Sequence, residues 1–310
     1  MLGKTKLYLL TGFLGAGKTT FLTNVLNDLE NKKVSVIMNE FGKIGIDGAI
    51  IKKEGMELVE LNKGSIFCSC LQLSFVSALV EMSDRNMEYV FVESSGLADP
   101  SNINEFLEAV QVVKGDVYHY SGAICIVDGV NFLEQIEDIE TVERQLRFSH
   151  LVVISKVDLI EDEKLLKIKE KIREINQKAH VVESRMGEID YDFLDKDLMV
   201  NDWGGKEDTT NTPENRPKTL TLSFDGELPK EKLNLFLDEI KKDAYRIKGF
   251  FRLDDGWKQV DVVNKTIDYR STDKGVDTSE LVIISKIGPH IIRPIFKAWE
   301  EIVGEEMKLR

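Results

Sequence analysis

The sequence predicts an α/β fold with a parallel sheet flanked by helices, followed by a small C-terminal α+β domain. Three observations lead there. Short β-branched runs alternate with helix-length amphipathic stretches from the start of the chain. Those runs are almost continuously apolar, as strands buried on both faces are. Residues 201–217 then turn polar, carry Gly204, Gly205, Pro213 and Pro217, and lose all apolar periodicity. That stretch reads as a linker between domains at 1–200 and 218–310.

Strands are expected at Leu7 to Thr11, Val34 to Met38, Tyr89 to Val92, Ala123 to Val127, Leu151 to Ile154 and His180 to Val182. Helices are expected at Lys18 to Leu29, Leu71 to Met82, Ile103 to Val112, Val142 to Phe148 and Glu163 to Asn176. Asn102 with Glu105 has the spacing of a capping box. Ile50 to Leu61, with Gly55 between two apolar runs, reads as an inserted hairpin. After the linker come a strand (Thr219 to Phe224), a helix (Lys230 to Asp243), strands near Ile247 to Leu253, Trp257 to Val263 and Leu281 to Ile284, and a helix from Pro289.

Composition narrows the function classes. With 42% hydrophobic and 31% charged residues in 310, the chain has the balance of a soluble globular protein. A formal net charge of −13 argues against a nucleic-acid partner, and no basic patch overrides it. No apolar run approaches the roughly 20 residues that span a bilayer, and the first one is already a strand of the fold, which leaves no room for a cleavable signal. Three cysteines make no disulfide framework, so a reducing, cytoplasmic setting is expected.

Gly12 to Thr19 reads G-F-L-G-A-G-K-T and fits G-x-x-x-x-G-K-[ST], after a strand and at the start of a helix. Glycines let backbone amides turn around phosphates, the helix N-terminus adds its positive end, and Lys18 brings a point charge. Gly12, Gly15, Ala16, Gly17, Lys18, Thr19 and Thr20 are therefore expected to contact nucleotide, with the Thr19 hydroxyl on Mg²⁺. The fold class sharpens to a P-loop NTPase. Glu93, at the end of a neighbouring strand, suits the second carboxylate of the Mg²⁺ shell, and Gly96 can offer its amide to a γ-phosphate.

Ser155 to Asp158 reads S-K-V-D and resembles the N-K-x-D guanine motif. A carboxylate at Asp158 accepts both the ring N–H and the exocyclic amino group of guanine, whereas adenine presents an acceptor at the ring position. Lys156 and Asp158 are thus expected to hold the base, making GTP and GDP the ligands. Ser155 stands where the motif has an asparagine that ties loops together, so softened affinity or selectivity is expected.

Several further motifs fall in the order of one family: Asn39 to Gly42 (N-E-F-G) with Gly45 to Asp47, Gly64 to Leu71 with Cys68 and Cys70, and Glu93 to Pro100. Arg246 to Phe250 (R-I-K-G-F) adds a second-domain signature. Together they resemble CobW-type GTPases, relatives of HypB and UreG. The resemblance implies a GTP-hydrolysing metallochaperone or metal insertase that delivers a zinc- or cobalt-like ion (Zn²⁺ or Co²⁺) to a client metalloprotein or metal-cofactor enzyme. It implies thiolate ligands at Cys68 and Cys70. Leu71 stands at a third cysteine of the pattern, so Glu40 is the next donor, and Lys43 removes another. In the implied mechanism Lys18, Glu40 and Glu93 are catalytic, the two acids responding to the γ-phosphate from switch segments. Cys125 lies in an apolar strand and is expected in the core. His119, His150, His180 and His290 show no ligand spacing, although His119 is placed within reach of the metal loop. Two other readings stand beside this one: a GTP-dependent regulator or repair chaperone of a metal- or corrinoid-containing enzyme that carries no metal, and a small-molecule kinase.

Overall fold

Seven strands run parallel in the first part of the chain because each connection between them is long enough to carry a helix back across the sheet. The computed structural model describes residues 4–40, 57–62, 72–186, 188–201, 210, 217–272 and 278–310. The chain divides into two compact units, Met1–Asn215 and Arg216–Arg310. In the first, β1 (Thr5–Thr11), β2 (Val34–Glu40), β3 (Glu57–Asn62), β4 (Tyr89–Glu93), β5 (Tyr118–Asp128), β6 (Leu151–Ser155) and β7 (His180–Glu183) form one sheet in the order β3-β2-β4-β1-β5-β6-β7. Every pairing in it is parallel.

Both faces of that sheet are covered. Alternation along β1 sends Tyr8 and Leu10 one way and Leu7 and Leu9 the other. On the first face they meet Phe21, Leu22, Val25 and Leu26 of α1 (Lys18–Asp28), together with Phe193, Leu194 and Leu198 from the segment after β7. On the second they meet Phe75, Leu79 and Met82 of α2 (Gln72–Ser83) and Ile103, Phe106 and Val110 of α3 (Ile103–Lys114). Further helices are α4 (Phe132–Asp138), α5 (Glu140–Arg147) and α6 (Asp162–Ile175). The periodicity missed α4, because only Phe132 and Gln135 of its seven residues are buried.

Two local expectations change. Asn102 does precede α3, but its side chain makes no capping bond and its backbone, at φ −99° and ψ 16°, lies outside the extended region a capping residue needs. The cap belongs to the preceding 3₁₀ turn, where Asp99 accepts from the Ser101 amide. Of the expected hairpin, the described part is β3, which pairs parallel with β2; residues 50–56 lie outside the described residues.

The second unit is a six-stranded antiparallel sheet in the order β11-β10-β9-β12-β8-β13. Its strands are β8 (Thr219–Phe224), β9 (Ala244–Leu253), β10 (Gly256–Val263), β11 (Thr266–Ser271), β12 (Ser279–Ser285) and β13 (Lys308–Leu309). Helices α7 (Lys230–Ile240) and α8 (Ile292–Ile302) share a core with it, in which Trp299 meets Phe236 and Phe224 edge-on. In the R-I-K-G-F segment on β9, Arg246 forms a two-pronged pair with Asp261 at 2.9 and 2.8 Å. A Cβ on Gly249 would lie 1.9 Å from the Glu280 carbonyl oxygen, so the glycine there is a packing requirement. The edge strand β11 is mostly exposed, which is why no apolar run announced it. Among the described residues no helix is long and apolar enough to cross a membrane.

Burial sets the alkaline limit of the first unit. Cys125 in β5 is buried and its thiol is pushed up to about 12 from an ordinary 9.0, mainly by loss of water. The Tyr8 hydroxyl, also buried first of all, rises to about 12 from 10.0. Below pH 9 both groups keep their protons in the folded and unfolded chain alike. Above it the unfolded chain releases protons that the fold retains, so stability falls by up to about 1.4 kcal/mol per pH unit for each group until the folded values are passed. Urea titrations from pH 8 to 11 should show that decline, with a shallower slope for Cys125→Ala; identical slopes would contradict the assignment to Cys125.

Candidate functional site

β1 ends at Thr11 and α1 starts at Lys18, and the turn between them is built on glycines with positive φ: Gly12 at 135°, Gly15 at 76° and Gly17 at 100°. At Gly12 a side chain is also barred by space, since a Cβ would sit 2.3 Å from the Ile126 carbonyl oxygen of β5. Gly17 caps α1 with its backbone alone, leaving the first amides of that helix without a side-chain acceptor. Lys18 is buried, and its ammonium curls over the turn to donate to the carbonyls of Gly12 (2.8 Å) and Phe13 (3.3 Å). Ala16 is buried in the loop, and Thr20 is exposed in the first helical turn.

Parallel register brings the second carboxylate to this turn. Glu93 closes β4 opposite Leu10 of β1 and Met38 of β2. The Thr19 hydroxyl donates to Glu93 Oε1 at 3.2 Å, so the two expected Mg²⁺ donors stand side by side. Glu40 closes β2 two residues beyond Met38, its backbone opposite Asn62 of β3; its side chain lies outside the description. Gly96 is pressed against the phosphate turn: a Cβ there would meet Leu14 Cδ2 at 2.6 Å and Leu14 N at 2.7 Å.

Residues that the sequence reading did not single out hold the Glu93–Pro100 loop in place. Gln145 on α5 donates from Nε2 to the carbonyls of Gly96 (3.2 Å) and Ala98 (3.0 Å). Beside it, Arg144 Nε donates to the buried Asp99 carboxylate at 2.7 Å. Asp99 also accepts from the amide (2.8 Å) and hydroxyl (3.1 Å) of Thr210. The signal was present in the sequence as two polar residues on the buried side of a short amphipathic helix.

The S-K-V-D segment follows β6 and runs alongside the same turn. Ser155 is buried, and its hydroxyl lies 2.7 Å from the Ala16 carbonyl and 3.0 Å from that of Val127, its single proton serving one at a time. The tie between loops expected of an asparagine is thus made by serine. Lys156, in the left-handed region at φ 58°, donates to the Gly15 carbonyl at 2.8 Å and to Asp128 Oδ2 at 2.9 Å. Asp128, at the end of β5, is itself fixed by the amides of Val130 (2.9 Å) and Asn131 (3.3 Å). Asp158 is exposed and accepts from the Met186 amide at 3.2 Å, which ties the S-K-V-D segment to the loop after β7. Neither Asp128 nor Met186 carries a motif signal of its own.

Cys68 and Cys70 lie outside the described residues. Among the described residues no group of three or more His, Cys, Asp or Glu side chains could hold a metal ion. The cysteine loop that His119 is expected to approach lies outside the described residues; His119 itself sits near the start of β5 opposite Lys6 and beside Asp197 at 3.5 Å. From there to Thr11, where the phosphate turn starts, is about 16 Å of strand at roughly 3.3 Å per residue. Cys125 is core, and His150 is buried with Nδ1 accepting from the Ala123 amide at 3.0 Å.

The Ser155 tie makes a direct forecast. Ser155→Ala leaves the buried Ala16 carbonyl without that hydroxyl and should cost about 1 kcal/mol in a denaturant titration, whereas Ser155→Asn should recover most of it. A loss below about 0.3 kcal/mol in Ser155→Ala would mean that the hydroxyl bonds carry no net weight.

Comparison with known proteins agrees with this geometry. Residues 6–183 match the family described as CobW/HypB/UreG, nucleotide-binding domain, and residues 218–298 match the cobalamin synthesis protein CobW C-terminal domain. The chain is 31% identical over 191 residues to the zinc chaperone YjiA of Escherichia coli, a match covering 60% of this chain and 59% of that protein. It is 27% identical over 218 residues to the zinc chaperone CobW of a Sinorhizobium species, covering 60% of this chain and 61% of that one. It thus spans about three fifths of the length of these curated relatives. Among solved structures, Zn(II)-bound YjiA GTPase from E. coli aligns over 97% of this chain and 99% of that chain, at 22% identity and a TM-score of 0.48. With more than half its length inside the first match and the second following in order, the chain belongs to the CobW/HypB/UreG family of nucleotide-binding proteins.

Proposed function

We propose that the chain binds GTP with Mg²⁺ at the C-terminal edge of its parallel sheet, hydrolyses it, and couples nucleotide state to delivery of a transition metal to a client protein or metal-cofactor enzyme. The observation that carries this reading is the convergence of Lys18, Thr19, Glu93 and Gly96 on one glycine turn whose other side is tied to Ser155 and Lys156.

The residues fit the groups they would take. Thr19 and Glu93 offer adjacent hard oxygens of the kind Mg²⁺ prefers, and the ion would neutralise charge between the outer phosphates. The hydroxyls of Thr11, Ser94 and Ser95 are buried around the same strand ends with no protein hydrogen-bond partner among the described residues, a condition that a phosphate or its hydration shell relieves. Lys18 supplies positive charge where negative charge grows during phosphoryl transfer to water. Asp158, exposed at the base end, is the acceptor that selects guanine.

For the metal, support comes from the thiolates Cys68 and Cys70 together with the names of the relatives, two of which are zinc chaperones. Zinc is therefore the favoured cargo, with Glu40 as a further donor. The client stays a class, a metalloprotein or a metal-cofactor enzyme. A regulator that carries no metal is the competing reading, and Leu71 in place of a third cysteine is its motive.

Competition of GTP against ATP tests the base. GTP should win by at least about a hundredfold, and Asp158→Asn should remove most of that margin; preference for ATP would overturn the guanine reading and favour a kinase. Lys18→Ala should lower GTP hydrolysis by about a hundredfold or more. Equilibrium dialysis with Zn²⁺ or Co²⁺ in the presence of GTP, GDP or no nucleotide tests the cargo. Binding that changes with nucleotide and is lost in Cys68→Ala is the expected outcome, and no binding in any state would leave only the metal-free regulator.

A further inference from the structure

Gly96 is clamped from two sides. On one, its Cα faces Leu14 of the phosphate turn so closely that a methyl group would overlap Leu14 N at 2.7 Å. On the other, its carbonyl accepts from Gln145 Nε2 at 3.2 Å, and the same amide group reaches the Ala98 carbonyl at 3.0 Å. Both contacts are acceptors, so the NH₂ end of Gln145 must face the loop, and each of its two protons is used. The side chain is 1% exposed. The loop is also held by its own turn, with the Ala98 amide donating to the Ser95 carbonyl, by the Ser94 amide donating to the Leu10 carbonyl, and at its end by Arg144 on Asp99. Gln145 stands on α5, which leads through Phe148 to His150 into β6 and so to Ser155 and Asp158.

Building on the GTP reading above, we propose that Gln145 is a positioning residue for the γ-phosphate response: it holds the Gly96 peptide against the phosphate turn, and the protein's distinction between GTP and GDP depends on its two donated bonds. Gln145 does not touch nucleotide. It acts through the loop that stretches from Glu93 to Asp99, so its loss affects the ligand with a third phosphate and spares the one without.

Isothermal titrations of the full chain with GDP and with a non-hydrolysable GTP analogue, each with Mg²⁺, test this. Gln145→Met keeps the volume and drops the donors. It should weaken binding of the analogue about tenfold, the weight of one to two neutral hydrogen bonds, and leave GDP within about twofold. Gln145→Glu keeps the shape but turns an acceptor toward two carbonyls, so it should be at least as damaging at pH 8. A residue that merely fills space predicts instead that Gln145→Met, which keeps the volume, stays close to wild type for both ligands. If Gln145→Glu does not fold, Gln145→Met decides. Equal losses for GDP and the analogue, or an analogue affinity unchanged in Gln145→Met, overturn the proposal. The wild-type chain separates the two levels of failure: no binding of either guanine nucleotide counts against the reading of the site, whereas binding that the variants leave untouched counts against Gln145 alone.

Discussion

Parallel hydrogen bonding of β1 to β4 on one side and β5 on the other makes three chain segments end at the same edge of the sheet. Leu10 then stands opposite Glu93, and Thr11 opposite Cys125, whose strand runs on to Asp128. β6 extends the row, setting Ser155 opposite Asp128. An antiparallel sheet would have sent half of these ends to the other edge. The contact between Gly12 and the Ile126 carbonyl follows from the same packing, because the turn leaving β1 has to cross β5. Topology and close approach thus come before any individual side chain.

The side chains then lock the edge with polar contacts in buried places. Lys156 to Asp128, Ser155 to Ala16, Gln145 to Gly96 and Arg144 to Asp99 each join loops that the sheet has only brought near. Their net worth to stability is modest, about 1 kcal/mol for a neutral hydrogen bond, and the Arg144–Asp99 pair also bears the cost of leaving water. What such contacts supply is a single arrangement in place of several. The sheet accounts for where the site is, and this network accounts for its shape.

The sequence made the sheet legible because buried parallel strands are continuous apolar runs, and it made the phosphate turn legible because glycine, lysine and threonine at that spacing have few other uses. Glu93 and Asp158 could be found by their positions at strand ends. Asp128 carries no such signal, and Arg144 and Gln145 show only as polar residues on the buried side of a short helix, because their partners are distant in the chain; Gln145 and Gly96, for example, are separated by 49 positions. The expected cap at Asn102 failed for a related reason. The 3₁₀ turn upstream was already capped by Asp99, whose carboxylate is held from α5 and from Thr210.

Lys18 shows what this arrangement asks of the folded chain itself. The residue is 8% exposed and its ammonium rests on the Gly12 and Phe13 carbonyls, so much of its hydration is surrendered when the protein folds. On the GTP reading proposed above, a polyphosphate would meet an ammonium already stripped of much of its water, so part of the desolvation cost of binding would be met in folding. On that reading the lysine's burial belongs to the fold's preparation for its ligand, settled before the ligand arrives.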